Sequence, residues 1–223
     1  MAIYNKDSRL AEILMNHPSL IPVLSRLGIK LGVGDKTVGD ACVNPTDKIS
    51  FLLSIINTFV DEDYFPSDSA DFFSLNKTID YLEKTDEYYL KIQLPNIEHH
   101  FNLLIKKSGT QNNLLHLKDF FYEMKNQMEE NVIYELQEIF PQIKKNNFDK
   151  SLRYKIIDAN VETEEKIRDL LIFFIMHLKG EYDSNLCAGV VAAIYSLSKD
   201  LHQNNRIRTR IFVPMLEKMC KSN

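Results

Sequence analysis

The chain has no tryptophan, three cysteines, and only seven glycines and seven prolines in 223 residues. So few turn-forming residues, beside many Leu, Ile, Lys and Glu, disfavour a turn-rich β fold and favour helix. Cys42, Cys187 and Cys220 are widely spaced and form no Cys-x-x-Cys pair. A sparse, odd set argues against a disulfide framework and for a reducing compartment. An excess of basic charge is missing too. Against 31 acidic residues stand 27 Lys and Arg, giving a net charge of −4 and so no electrostatic footprint for nucleic acid or an anionic membrane. The basic clusters Lys106-Lys107, Lys144-Lys145 and Arg206 to Arg210 read as solvated helix ends. No apolar run reaches membrane-spanning length, and the first twenty residues lack the apolar core of a signal peptide. The richest apolar stretch, Leu170 to Met176, is bounded by Asp169 and His177 and reads as a buried helix, so a cytoplasmic protein without membrane contact is expected.

What is present is helical periodicity. Residues 8–15 and 18–27 each suit a short helix, the second stopping at Gly28 as a C-cap signal. Gly32-Val33-Gly34-Asp35 reads as a turn. The pair of glycines lacks the preceding strand, third glycine and following Lys-Ser/Thr of a phosphate loop. Thr37 suits the N-cap of a helix through Cys42, and Asp47 that of a helix from 49 to 59. Residues 61–71 are acidic, contain Pro66 and have no clear period, which reads as a linker. The expected organisation is a small all-α domain over 1–62, a linker over 63–73 and a larger domain over 74–223.

The larger domain shows four amphipathic patterns with steps of three and four residues. The first spans 74–106, with Leu75, Ile79, Leu82, Asp86 and Tyr89 on one face and Pro95 expected to kink or interrupt it. The second spans 112–145 (Leu117, Phe121, Met124, Met128, Asn131, Glu135, Ile139), and the third 152–178 (Ile156, Asn160, Ile167, Leu170, Phe174). The fourth spans 184–219 (Val190, Ile194, Leu197, Leu201, Asn204, Arg208, Ile211, Met215). Four helices joined by short loops predict an all-α fold, an antiparallel four-helix bundle behind a small helical N-terminal domain.

Each inward stripe carries polar residues: Asp86, Asn131 with Glu135, Asn160, and Asn204 with Arg208. Inward polar groups cost several kcal/mol unless partnered, so one set per helix suggests a shared polar layer. Asn131-x-x-x-Glu135 and Asn204-x-x-x-Arg208 each place two side chains one turn apart on one face. The histidines supply no ligand set: His17 lies in the small domain, His99, His100 and His116 are turns away from the layer, His177 ends a helix, and His202 points off the face of Asn204.

This layout resembles the hemerythrin-like di-iron proteins, more narrowly the two-domain repair-of-iron-centres family of ScdA/YtfE-like proteins. The resemblance rests on HPSLIPVLSRLGIKLGVGDKTVGDAC in the first domain and, in the bundle, on DYLEKTDEYYLKIQLPNIEHH, NVIYELQEIFPQI and RIRTRIFVPML, in the family's order. It implies a bundle whose His and His-x-x-x-Glu ligands fall here at Asp86, Asn131, Glu135, Asn160, Asn204 and Arg208. Only Glu135 keeps the family's residue type, and the family's adjacent cysteine pair falls at Gly32-Val33.

Asn offers a weakly basic amide oxygen and Arg no lone pair, and a guanidinium beside two dications is electrostatically poor. The resemblance therefore implies a degenerate, metal-free member: no cofactor, no catalytic residues and no enzyme, acting as a binding, regulatory or scaffold protein. Arg208 is expected to replace the metals, pairing with Glu135 and Asp86 while the Asn amides complete the hydrogen bonds. A protein partner or a homo-oligomer is the expected mode of action, with Tyr64-Phe65-Pro66 and Phe72-Phe73 as a contact or as interdomain packing. The alternative is an iron-binding repair or oxygen/nitric oxide stress-response protein with a non-standard di-iron site.

Overall fold

A computed structural model of the chain describes residues 3–42, 47–66, 74–108, 113–145 and 150–221. The protein is all-α. Among the described residues the only β structure is isolated bridges: Arg9 pairs with Thr37, and Gly180 is a bridge residue as well. Helices α1 (Leu10–Asn16), α2 (Leu20–Arg26) and α3 (Asp47–Val60) are followed by α4 (Leu75–Tyr88), α5 (Leu94–Lys107), α6 (Leu114–Tyr134) and α7 (Phe140–Lys144). The longest, α8 (Lys150–His177), precedes α9 (Ser184–Ile207) and α10 (Val213–Lys221). The region 37–42 expected to be helical is instead one reciprocally capped turn. The Thr37 amide and hydroxyl both donate to Asp40 Oδ2 at 2.9 Å, and the Asp40 amide returns to Thr37 Oγ1 at 3.2 Å. Thr37 is spent closing that turn, with Gly39 forced by close approach: a Cβ there would stand 3.2 Å from the Lys6 carbonyl oxygen.

Pro95 does not break its helix. A five-residue π-turn, Tyr89–Gln93, joins α4 to α5. The same device recurs as Glu135–Ile139 between α6 and α7 and as Arg208–Phe212 between α9 and α10. Each π-turn is followed by one residue and then a proline: Pro95, Pro141 and Pro214. In each, the residue before the proline donates its amide to the carbonyl five residues back, Leu94 to Tyr89, Phe140 to Glu135 and Val213 to Arg208. A proline inside an α-helix has no N–H to donate and its ring clashes with the carbonyl four residues back. One inserted residue shifts that register, so the helix carries the proline without ending.

The chain forms two compact units, Met1–Thr85 with Gln203–Asn223, and Asp86–His202. They divide α4 and α9. The unit Asp86–His202 has one apolar core drawn from four helical stretches. Its members include Tyr89, Ile97 and Phe101; Leu117, Phe121, Met124 and Met128; Ile167, Leu170 and Phe174; and Val190, Ile194, Leu197 and Leu201. At its centre Phe101 stacks on Phe121 at 5.4 Å and tilts against Phe174 at 5.3 Å. Full burial of each ring contributes about 2–3 kcal/mol, and aromatic pairing adds roughly 1 more. Asn113 ties the start of α6 to the end of α8, donating to the His177 carbonyl and accepting from the Lys179 amide, both at 2.8 Å.

The other unit packs short helices around Leu10, Ile13, Leu20, Val23, Leu24, Ile55, Ile56 and Phe59. Gly28, at φ 85°, follows α2 and lets the chain reverse as its sequence predicts. Asn57 is almost fully buried, and its amide holds the N-terminal strand of chain. Oδ1 accepts from the Ile3 and Tyr4 amides at 3.0 and 2.9 Å, and Nδ2 donates to the Tyr4 and Leu53 carbonyls at 3.0 and 2.9 Å. The basic cluster Arg206 to Arg210 is not a solvated end. Arg206 is buried and donates to the Asp61 carbonyl, and Arg210 donates to the Tyr64 carbonyl at 2.8 Å while lying 4.2 Å from the Phe65 ring centre. Residues 61–65 are thereby fastened to the end of α9 and the π-turn that follows it. Phe72-Phe73 lies outside the described residues.

Candidate functional site

The six polar positions fall in both units: Asp86, Asn131, Glu135 and Asn160 in one, Asn204 and Arg208 in the other. Periodicity put all six on inward faces, and four of them are buried. Asp86, Glu135, Asn204 and Arg208 are buried, with Arg208 among the largest fully enclosed side chains, and Asn131 and Asn160 are half-buried.

Three of the four helical stretches carry these residues at their π-turns. Glu135 and Arg208 are the first residues of theirs, Asn131 and Asn204 stand four positions earlier, and Asp86 lies three before Tyr89. π-turns recur at functional sites because the inserted residue re-aims side chains that an α-helix would point elsewhere. The signal was present in the sequence as a helix that keeps its apolar stripe through a proline, with a step of five between buried Tyr89 and Leu94.

Within the unit Asp86–His202, one pair of these residues is joined directly. Asn160 Nδ2 donates to Glu135 Oε1 at 2.8 Å. An amide that turns its N–H toward the carboxylate satisfies it as a hydrogen-bond donor. Asn131 Nδ2 is shielded from solvent with no hydrogen-bond partner among the described residues. In the other unit, both amide atoms of Asn204 are in that condition.

Tested against the di-iron group that the resemblance implies, this donor set does not fit. Only Glu135 keeps its carboxylate; the four imidazole positions hold the carboxylate Asp86 and three amides, one of them donating to Glu135, and Arg208 brings a buried guanidinium with no lone pair. Soft or borderline N ligands are absent where such iron needs them. Among the described residues no group of three or more His, Cys, Asp or Glu is placed to hold a metal ion. His202 lies off the layer, as its position predicts, but is not idle: its Nδ1 is 2.6 Å from Glu164 Oε1.

Two further clusters were not read from the sequence. A cavity of about 380 Å³ in the first unit is lined by Arg26, Lys77, Lys84, Asp80, Tyr81 and Cys42, with Phe51 and Leu52. Arg26 is buried there, its Nη2 3.4 Å from Tyr81 Oη and its guanidinium 5.7 Å from the Tyr81 ring centre. Lys77, Asp80, Tyr81 and Lys84 follow the i, i+3, i+4, i+7 spacing of one helix face, the only trace of it in sequence. In the second unit Glu98 accepts from Tyr122 Oη and Lys125 Nζ, both at 2.7 Å. The Lys125 hydrogen bond, then that of Tyr122, holds the Glu98 carboxyl below its usual range. The Glu98 hydrogen bond also pushes the Tyr122 hydroxyl up. The network joins α5 to α6 and faces no cavity that the structure describes.

The chain matches no family model, no curated protein and no solved structure. No helix among the described residues is long and apolar enough to cross a membrane.

Proposed function

We propose that this is a metal-free, hemerythrin-like helical protein, related to iron–sulfur cluster repair proteins, that acts without catalysis as a binding, regulatory or scaffold protein. The observation that carries the reading is the Asn160 to Glu135 hydrogen bond. Glu135 is the one position of the six with the residue type that the resemblance requires, and its oxygen is satisfied by an amide donor. The burial of Arg208, at 2 % exposure, points the same way, since a guanidinium at a ligand position has no lone pair to offer a metal.

Elemental analysis after anaerobic addition of ferrous iron and desalting tests this. The expected result is iron well below one equivalent per chain and no oxo-bridged iron absorption on exposure to air. Near two iron atoms per chain would replace the proposal with its alternative, an iron-binding repair or stress-response protein. The Glu135→Gln variant adds a second readout: it should leave residual metal content unchanged, whereas a working site would lose its metal.

A further inference from the structure

The outer face of α8 carries a pattern that the core does not explain. Opposite the buried stripe Thr163, Ile167, Leu170 and Phe174 run Ile157, Val161, Glu165, Arg168, Ile172 and Met176. Val161, Ile172 and Met176 are 44, 37 and 70 % exposed, and Ile175 beside them is 76 % exposed. Glu165 and Arg168 are exposed and form no ion pair among the described residues.

The steps between the six are four, four, three, four and four, so they hold one stripe about 100° wide and roughly 28 Å long at helical rise. The order is apolar, apolar, acidic, basic, apolar, apolar. Read from either end the spacing is the same, and the two charges exchange sign. A two-fold axis crossing the helix between residues 166 and 167 therefore sets Ile157 level with Met176, Val161 with Ile172 and Glu165 with Arg168 of a second, antiparallel copy. Ile175 and Asp158 take the matching level at the rim. In a parallel pair each of Glu165 and Arg168 would face its own like charge, which is destabilising. Self-complementarity about a two-fold axis is the requirement of an isologous dimer interface.

From this face we infer that the protein forms an antiparallel homodimer through α8, with two reciprocal Glu165–Arg168 pairs at the centre and Val161–Ile172 contacts on either side. The interface goes beyond the metal-free reading and does not depend on it, because none of its residues belongs to the polar layer.

Sedimentation equilibrium of the full chain, run with three charge variants, tests the arrangement. Wild type should sediment as a dimer of the 26.0 kDa chain. Arg168→Glu, which sets acid against acid, should raise the dimer dissociation constant at least tenfold, and Glu165→Arg should do the same. The double variant Glu165→Arg/Arg168→Glu restores opposite charges across the axis and should return the constant to within about threefold of wild type. Both substituted positions are exposed, so circular dichroism should show unchanged helix content throughout. A wild-type monomer at 100 μM or so would overturn the proposal. So would a dimer indifferent to the single reversals, or singles that the double variant fails to rescue.

Discussion

The two compact units bury different kinds of side chain. Of the sixteen buried polar or charged side chains among the described residues, eleven lie in Met1–Thr85 with Gln203–Asn223, including Arg26, Arg206 and Arg208, and five lie in Asp86–His202. The difference follows from backbone chemistry. Long helices satisfy their own amides and carbonyls, so the second unit's buried side chains mainly fill space, and they do so with Phe, Leu, Ile and Met. Short helices joined by turns leave backbone groups without helical partners. In the first unit polar side chains supply them: Asn57 to residues 3 and 4, Arg206 and Arg210 to residues 61 and 64. Space-filling and hydrogen-bond fastening should therefore fail differently when mutated.

The largest effect is expected where packing dominates. Phe101→Ala removes the ring shared by Phe121 and Phe174 and leaves a cavity that fully buried neighbours cannot close. A loss of about 3–5 kcal/mol is expected, read as a lower urea midpoint by circular dichroism. A loss under 1 kcal/mol would mean that this core is loosely packed and the contrast between the units is unfounded.

In the first unit the corresponding test is Asn57→Ala. It strips partners from the Ile3 and Tyr4 amides and the Tyr4 carbonyl while removing little apolar area. Each buried group left unmatched costs about 1–3 kcal/mol, but the N-terminal segment can swing into water and recover part of that, so a net loss of about 2–3 kcal/mol is expected. The distinguishing readout is hydrogen exchange: protection at Ile3 and Tyr4 should vanish, whereas amides of α6 should keep theirs relative to global stability.

Asn204 reverses the sign. Its amide is buried with neither atom hydrogen-bonded among the described residues, an arrangement that costs stability without fastening anything. Asn204→Leu, of similar volume, should raise stability by about 1 kcal/mol. A destabilisation would show that the amide serves an ordered water and belongs with the fastening residues.

How far this was legible in the sequence depends on period. The stripes through Ile79, Leu82, Asp86 and Tyr89 and through Phe121, Met124 and Met128 were read at their true register, because steps of three and four persist over about two to three turns in each. The Asn160–Glu135 hydrogen bond is of the kind that the inward amides predicted. The π-turns were not foreseen, because Pro95 alone signals interruption without saying that one inserted residue absorbs it. Arg26 and Arg206 were also missed. An arginine near a helix end has the same local signature whether water or a carbonyl receives it, and only the tertiary path of residues 61–65 decides.

The smallest effect sharpens the comparison from the electrostatic side. The second unit does hold charged fastenings, among them Glu98 with Lys125 and Tyr122, where the Glu98 and Lys125 side chains are 28 and 17 % exposed. Glu98 has a folded pKa below its unfolded one, so its contribution is complete above the unfolded value and is lost as pH falls through the folded value. Lys125 behaves oppositely. Burial, the largest influence, pulls it down, but the Glu98 hydrogen bond and the charges of Glu129, Glu98 and Tyr122 carry it above its usual value. Its contribution is complete below the unfolded lysine value and is lost as pH rises through the folded one. Between those limits stability should be flat for this pair, and Lys125→Met should cost a fraction of a kcal/mol, roughly 0.3–1 after solvent screening. That cost should disappear when urea midpoints are measured at a pH below the folded Glu98 pKa, where the carboxyl is neutral in both variants. A cost that persists in acid would assign Lys125 to packing over the Tyr122 ring, 5.7 Å from its ammonium, and place it with the second unit's space-filling side chains.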